Sequence, residues 1–130
     1  MAMTVLLDTH VVLWAVFEPA RLSRRVRLLL LDGSTTILLS AASAWEIATK
    51  VRLGRLEHAR SIVDQFPRVL ESLAAHELVI TSQHCLLAGS FDIAHRDPFD
   101  RMLAAQSQLE DVPLISADRH FDSFPVSIIW

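Results

Sequence analysis

The sequence predicts a single α/β domain over residues 1–130, with a mostly parallel sheet of about five strands covered by helices on both faces. Three observations predict it. Short β-branched and apolar runs alternate with segments whose apolar residues recur at helical spacing. Two such runs, Thr4–Leu7 and Pro113–Ser116, stop at or just before an aspartate, as buried parallel strands do where they meet a polar site. A length of 130 residues, 52% of them apolar and 21% charged, is enough to bury a real core in one domain.

The first strand, Thr4–Leu7, ends at Asp8, and a helix is expected from His10 to about Phe17. Glu18 and Pro19 break it. A second helix starts near Arg21 or Ser23, with Leu22, Val26, Leu29 and Leu30 at helical spacing, and Asp32-Gly33 ends it. Thr35–Leu39 reads as the second strand. Ser40 and Ser43 offer capping oxygens for a helix through Val51 that Gly54 closes. One helix from Ser61 to about Ala75, a short strand over Leu78–Ile80 and a short helix over Gln83–Ser90 follow. Asp97 then caps a helix with Pro98 at its first position and Asp100 in its first turn, running to about Leu109. Pro113–Ser116 is the fourth strand, ending near Asp118, and Val126–Trp130 the fifth.

Composition narrows the chemistry. The longest apolar stretches fall well short of the roughly 18 residues that span a bilayer, and no basic segment precedes an apolar one at the amino end, so a cytoplasmic protein is expected. Cys85 is the only cysteine, which excludes an internal disulfide and leaves it to pack as a small apolar residue. His10, His58, His76, His84, His95 and His120 form no zinc-binding pattern and are expected at the surface or in packing. A net charge of −3 disfavours nucleic acid, yet the window 21–60 holds eight of the 12 basic residues against Asp32, Glu46 and Glu57. Lys50, Arg52 and Arg55, closely following Glu46, are the candidate phosphate contacts; an ordinary solvated helix face is the competing use.

Asp8 and Asp118 lie at or just past the carboxyl ends of strands, where an open α/β sheet builds its site. Glu46 and Asp100, on helices bordering the same crevice, are placed to join them. Two unit charges about 4 Å apart repel by about 4 kcal/mol at an effective dielectric of about 20, so such a cluster must take up protons or a cation. Oxygen ligands alone select a hard ion, magnesium or manganese, suited to phosphodiester hydrolysis. Each acid also has an ordinary structural use. Asp8 can cap a helix, Glu46 stands at capping-box spacing from Ser43, Asp97 is a better cap than ligand, and Asp118 lies at a turn. Trp14, Trp45 and Trp130 can stack on bases, but core or dimer packing is the preferred use.

Four blocks in order carry a resemblance: Leu6–His10, Ser43–Ala48, His95–Gln106 and Ile115–Asp118. Together they are similar to the PIN-domain family, in particular to VapC-like toxins of bacterial toxin–antitoxin pairs, over nearly the whole chain. The resemblance implies a three-layer α/β/α sandwich and makes Asp8, Glu46, Asp100 and Asp118 the metal-binding and catalytic quartet. Ser116 takes the hydroxyl position before the last acid, where Thr is frequent, and Asp97 is an outer contributor. It also implies a magnesium- or manganese-dependent endoribonuclease with an RNA substrate, a homodimer, and a small antitoxin seated between the helices of residues 10–32 and 41–75. A catalytically silent PIN-like binding module is the alternative. A magnesium-dependent phosphatase or phospho-receiver fits less well, because the only lysine, Lys50, is not placed after a late strand.

Overall fold

The computed structural model describes residues 2–130, and its sheet has five parallel strands in the order β3-β2-β1-β4-β5. These are β1 (Met3–Leu7), β2 (Thr35–Ser40), β3 (Ala75–Leu78), β4 (Leu114–Ile115) and β5 (Ile128–Ile129). Alternation along the strands divides the interior in two. Val5, Leu7, Ile37, Leu39 and Ile115 point to one face, while Leu6, Leu38 and Leu114 point to the other. Helices α1 (Thr9–Phe17), α2 (Arg24–Leu31), α3 (Ala41–Arg52), α4 (Arg60–Asp64) and α5 (Phe66–Ser72) supply the first core through Val11, Val12, Val26, Ile47, Ile62 and Val69. The second core is built from Leu103 and Ala104 of α7 (Pro98–Glu110) with Phe121 and Phe124; α6 (Ser82–Ser90) packs on α7. The result is a three-layer sandwich.

Chain order places the site. The strands run from β1 outward to β2 and β3, then cross back so that β4 lies on the other side of β1. The crevice between the carboxyl ends of β1 and β4 is therefore the point where the winding reverses, the usual ligand position in such sheets. Asp8 follows β1 there, and Ser116 follows β4.

Local signals account for most boundaries. The Ser23 side chain accepts from the Val26 amide at the start of α2, and Ser40 accepts from the Ala42 amide at the start of α3. Gly54, at φ +76°, follows α3 in the left-handed conformation expected after a helix. Two expectations fail between residues 60 and 80. The single helix over 61–75 is two helices meeting at Gln65, because Pro67 cannot donate the helical hydrogen bond and is accommodated only in the first turn of α5. The third strand occupies Ala75–Leu78, not Leu78–Ile80: Ala74, at φ +50°, ends the preceding helical segment and sends the chain straight into the sheet. The apolar run that suggested the later strand lies at the sheet edge, with Val79 exposed. Cys85 does not pack inside; it is exposed on α6. Among the described residues no helix is long and apolar enough to cross a membrane.

Candidate active site

Asp8 ends β1 with its amide bonded to the Ile115 carbonyl at 3.0 Å, and only 3% of the residue is exposed. It opens α1 without a side-chain cap bond. Instead its Oδ2 accepts from the Ser116 hydroxyl at 2.9 Å, and that same Oγ accepts from the Asp118 amide at 3.0 Å. One buried hydroxyl thus ties the end of β1 to the turn after β4. Glu46, also 3% exposed, projects from α3; Lys50, one turn on, donates to its Oε2. The other oxygen, Oε1, is buried and has no hydrogen-bond partner among the described residues. Asp100 comes from the first turn of α7, and His95 Nε2 lies 2.8 Å from its Oδ2.

These acids sense one another. Burial pushes the Asp8 carboxyl up to about 7; the Ser116 hydroxyl opposes the rise, while the charges of Asp100 and Glu46 add to it. Burial also raises Asp100 against the His95 hydrogen bond, with Asp97 and Glu46 adding their repulsion. Asp118 is more open, with 34% of its side chain exposed. Its Oδ1 accepts from the His120 amide at 2.8 Å and faces His120 Nδ1 at 3.0 Å. It shares with Asp8 a depression of about 210 Å³ whose other walls are His10, Trp14 and Ala117.

Among the described residues no three of His, Cys, Asp and Glu are close enough to form a ready-made metal cage. The chemistry of the gathered side chains nevertheless fits a hard cation: they offer carboxylate oxygens only, one of them buried without a partner among the described residues, and burial keeps one acid from ionising easily. Magnesium suits such a spaced set because it keeps several of its own waters and needs one or two carboxylates.

Sequence comparison matches residues 5–126 to the family described as PIN domain. The chain belongs to the PIN domain family. No curated protein matches it. Among solved structures it is similar to VapBC2 from Rickettsia felis bound to a DNA fragment from their promoter, at 18% identity and a TM-score of 0.71 over 98% of each chain. It is also similar to VapBC-1 from nontypeable Haemophilus influenzae, at 18% identity and a TM-score of 0.61 over 98% of this chain and 97% of that one. A toxin–antitoxin complex from Klebsiella pneumoniae matches at 16% identity and a TM-score of 0.56, over 97% and 96%. At these identities the likeness concerns the fold.

In this PIN domain the sequence-selected residues sort unevenly. Asp8, Glu46 and Asp100 are brought within mutual electrostatic reach, and Asp118 joins them through Ser116. Asp97 is a cap: its Oδ1 accepts from the amides of Phe99 at 2.8 Å and Asp100 at 3.3 Å. The cap of α3 is Ser40, so Glu46 and Ser43 form no capping box; the Ser43 hydroxyl pairs with that of Thr9 at 2.9 Å. Of the basic candidates only Lys50 touches an acid of the site, while Arg52 and Arg55 are exposed where α3 ends. Two functional-site contacts escaped the sequence reading. His95 and His120, expected as surface or packing residues, each pair with a site acid, and their rings stand 5.5 Å apart. Their closeness along the chain to Asp100 and Asp118 was the available signal. Of the tryptophans, Trp14 is half-buried and packs against the first core, whereas Trp45 is 58% exposed, set edge-on to Phe99, and Trp130 is 36% exposed.

Proposed function

We propose that this PIN domain is a metal-dependent endoribonuclease and the toxin of a toxin–antitoxin pair. The observation that carries the reading is the meeting of Asp8, Glu46 and Asp100 at the β1/β4 crevice, with Glu46 Oε1 unpartnered and Asp8 pushed up to about 7. Asp8, Glu46, Asp100 and Asp118 would hold magnesium or manganese. When bound, the ion supplies Lewis acidity, activating water and neutralising charge on the phosphoryl group. Ser116 and His95 each anchor one oxygen, of Asp8 and Asp100 respectively, and so orient those carboxylates. Lys50 offsets the Glu46 charge, and with Arg52 and Arg55 supplies positive charge for an RNA backbone beside an otherwise repulsive pocket.

The antitoxin would seat an amphipathic segment in the apolar cleft of about 310 Å³ lined by Ala15, Leu22, Leu30, Leu31 and Leu73. Leu31 there is 83% exposed, a side chain in want of cover. The free toxin would be a homodimer, which sedimentation reads directly against the 14.6 kDa chain.

The deciding experiment incubates the purified chain with mixed RNA, with magnesium, with manganese and with chelator, and sequences the ends. We expect internal cuts only with an ion. Asp8→Asn and Asp100→Asn should each cost at least about 100-fold in cutting while the fold persists, more than outer-sphere partners usually cost. Unchanged cutting by both variants, or none by the parent chain, rejects the reading.

A further inference from the structure

The aromatic side chains beside the acidic depression have no part in that chemistry. His10 and Trp14, one helical turn apart on α1, form a wall of the depression that holds Asp8 and Asp118. Trp14 is also the centre of a group of rings, 6.0 Å from His10 and 5.7 Å from Trp130 between centroids. The Arg21 guanidinium lies 4.7 Å from the Trp14 ring centre. That cation lines a second depression, shared with Phe17, Glu18 and His58, and not the acidic one. Trp14 thus borders both depressions, with the cation in one and the acids in the other.

Trp14 packs in part against the first core, and the part of the indole left open lies at the mouth of a charged site, where it offers an aromatic surface to an occupant. A hydrated divalent ion would be held by the carboxylates and needs no indole, and an apolar peptide would not be laid against two carboxylates. A nucleobase answers both sides of the pocket, because it stacks on the ring while its phosphate lies toward an ion-loaded acid cluster. The depression, at about 210 Å³, is smaller than most small-molecule sites and admits a single base, not a pair.

We propose that Trp14, backed by Arg21 and flanked by His10 and Trp130, is the stacking platform for one unpaired base of an RNA strand beside the cleavage site. The inference rests on the endoribonuclease reading and adds the residue that makes the site select unpaired RNA.

The test uses the full chain carrying Asp100→Asn, in magnesium, to allow binding without cutting. Fluorescence anisotropy follows a labelled random-sequence single-stranded RNA 12-mer, its duplex, and an abasic ribose-phosphate oligomer of the same length. In this background Trp14→Leu keeps apolar bulk against the core, and Trp14→Phe keeps an aromatic face. We expect Trp14→Leu to weaken single-strand binding roughly 10-fold or more, the usual worth of one stacked base, with Trp14→Phe restoring most of it. The abasic oligomer should bind the parent and Trp14→Leu proteins alike, and the duplex should bind worse than the single strand. An equal loss on the abasic oligomer, or none on RNA, overturns the platform. So does a change in sedimentation on Trp14→Leu with RNA affinity intact, which would make Trp14 a contact between copies. If the chain with all native acids cuts RNA but Trp14→Leu leaves affinity unchanged, only the platform falls; if it neither cuts nor binds RNA, the endoribonuclease reading falls with it.

Discussion

Asp8 is an acid that folding makes harder to ionise, and this has a definite sign in stability. Its carboxyl rises from 3.8 to about 7, chiefly through burial, so between those values the folded chain keeps a proton that the unfolded chain has released. Stability then falls as pH rises: the contribution is complete below the unfolded value and gone above the folded one. Asp100 shifts in the same direction and adds to the slope. For Asp8 alone the full swing is on the order of 4 kcal/mol, of which roughly two fifths falls between about pH 5.5 and 7. We expect urea unfolding in chelator to show that decline, and Asp8→Asn to flatten most of it. A stability that rises over this range would contradict the burial account. The residue scale is also where the sequence was most and least legible. That Asp8, Glu46 and Asp100 lie near one another was readable because the α/β pattern fixes where such side chains can gather: Asp8 past β1, Glu46 midway along α3 and Asp100 in the first turn of α7. His95 and His120 were not, since their pairing with acids depends on the path of irregular segments that no periodicity describes.

At the scale of elements, α7 shows how local signals hold a site. Asp97 caps it and Pro98 opens it, as the sequence indicated, which delivers Asp100 to the crevice. What the sequence did not show is the work of Arg101. Its guanidinium donates to four carbonyls, those of Ala88, Phe91, Ile93 and His95, at 2.7–3.0 Å, and so fastens the irregular segment from α6 to α7. His95 sits in that segment, so its grip on Asp100 depends on Arg101. We expect Asp97→Ala to cost about 1 kcal/mol, as for a typical cap. Arg101→Met should cost more than about 3 kcal/mol, because it strands several carbonyls at once. Urea unfolding compares them, and an Arg101→Met loss no larger than that of Asp97→Ala would mean the segment is held by other contacts. The elements that were misplaced, α4, α5 and β3, share a cause. Their boundaries are set by Pro67 and by Ala74 in a left-handed conformation, and β3 is an edge strand whose side chains are little buried. Burial patterns are weakest where burial is least. The central strands β1 and β2, packed on both faces, were read to within a residue or two at each end.

For the whole molecule, the two cores hold together what electrostatics would separate. Asp8, Glu46, Asp100 and Asp118 come from four separate segments, and nothing local brings them together. The sheet order does, by placing β4 beside β1 while α3 and α7 approach from opposite layers. Hydrophobic burial on both faces of the sheet must offset the repulsion and desolvation gathered at its carboxyl edge. A divalent ion that binds only the folded arrangement would relieve that cost and raise stability by mass action. At 100 times its dissociation constant the gain is about 2.7 kcal/mol, which in a domain of this size is roughly 5–10 °C in melting temperature. The shift should also depend on pH, because at low pH a proton occupies Asp8 and competes with the ion. We therefore expect millimolar magnesium or manganese to raise the melting temperature more at about pH 8 than at about pH 5.5. Asp8→Asn and Asp100→Asn should each reduce the shift. If the protein melts at the same temperature with and without either ion at the higher pH, the acids are gathered for some purpose other than holding a cation.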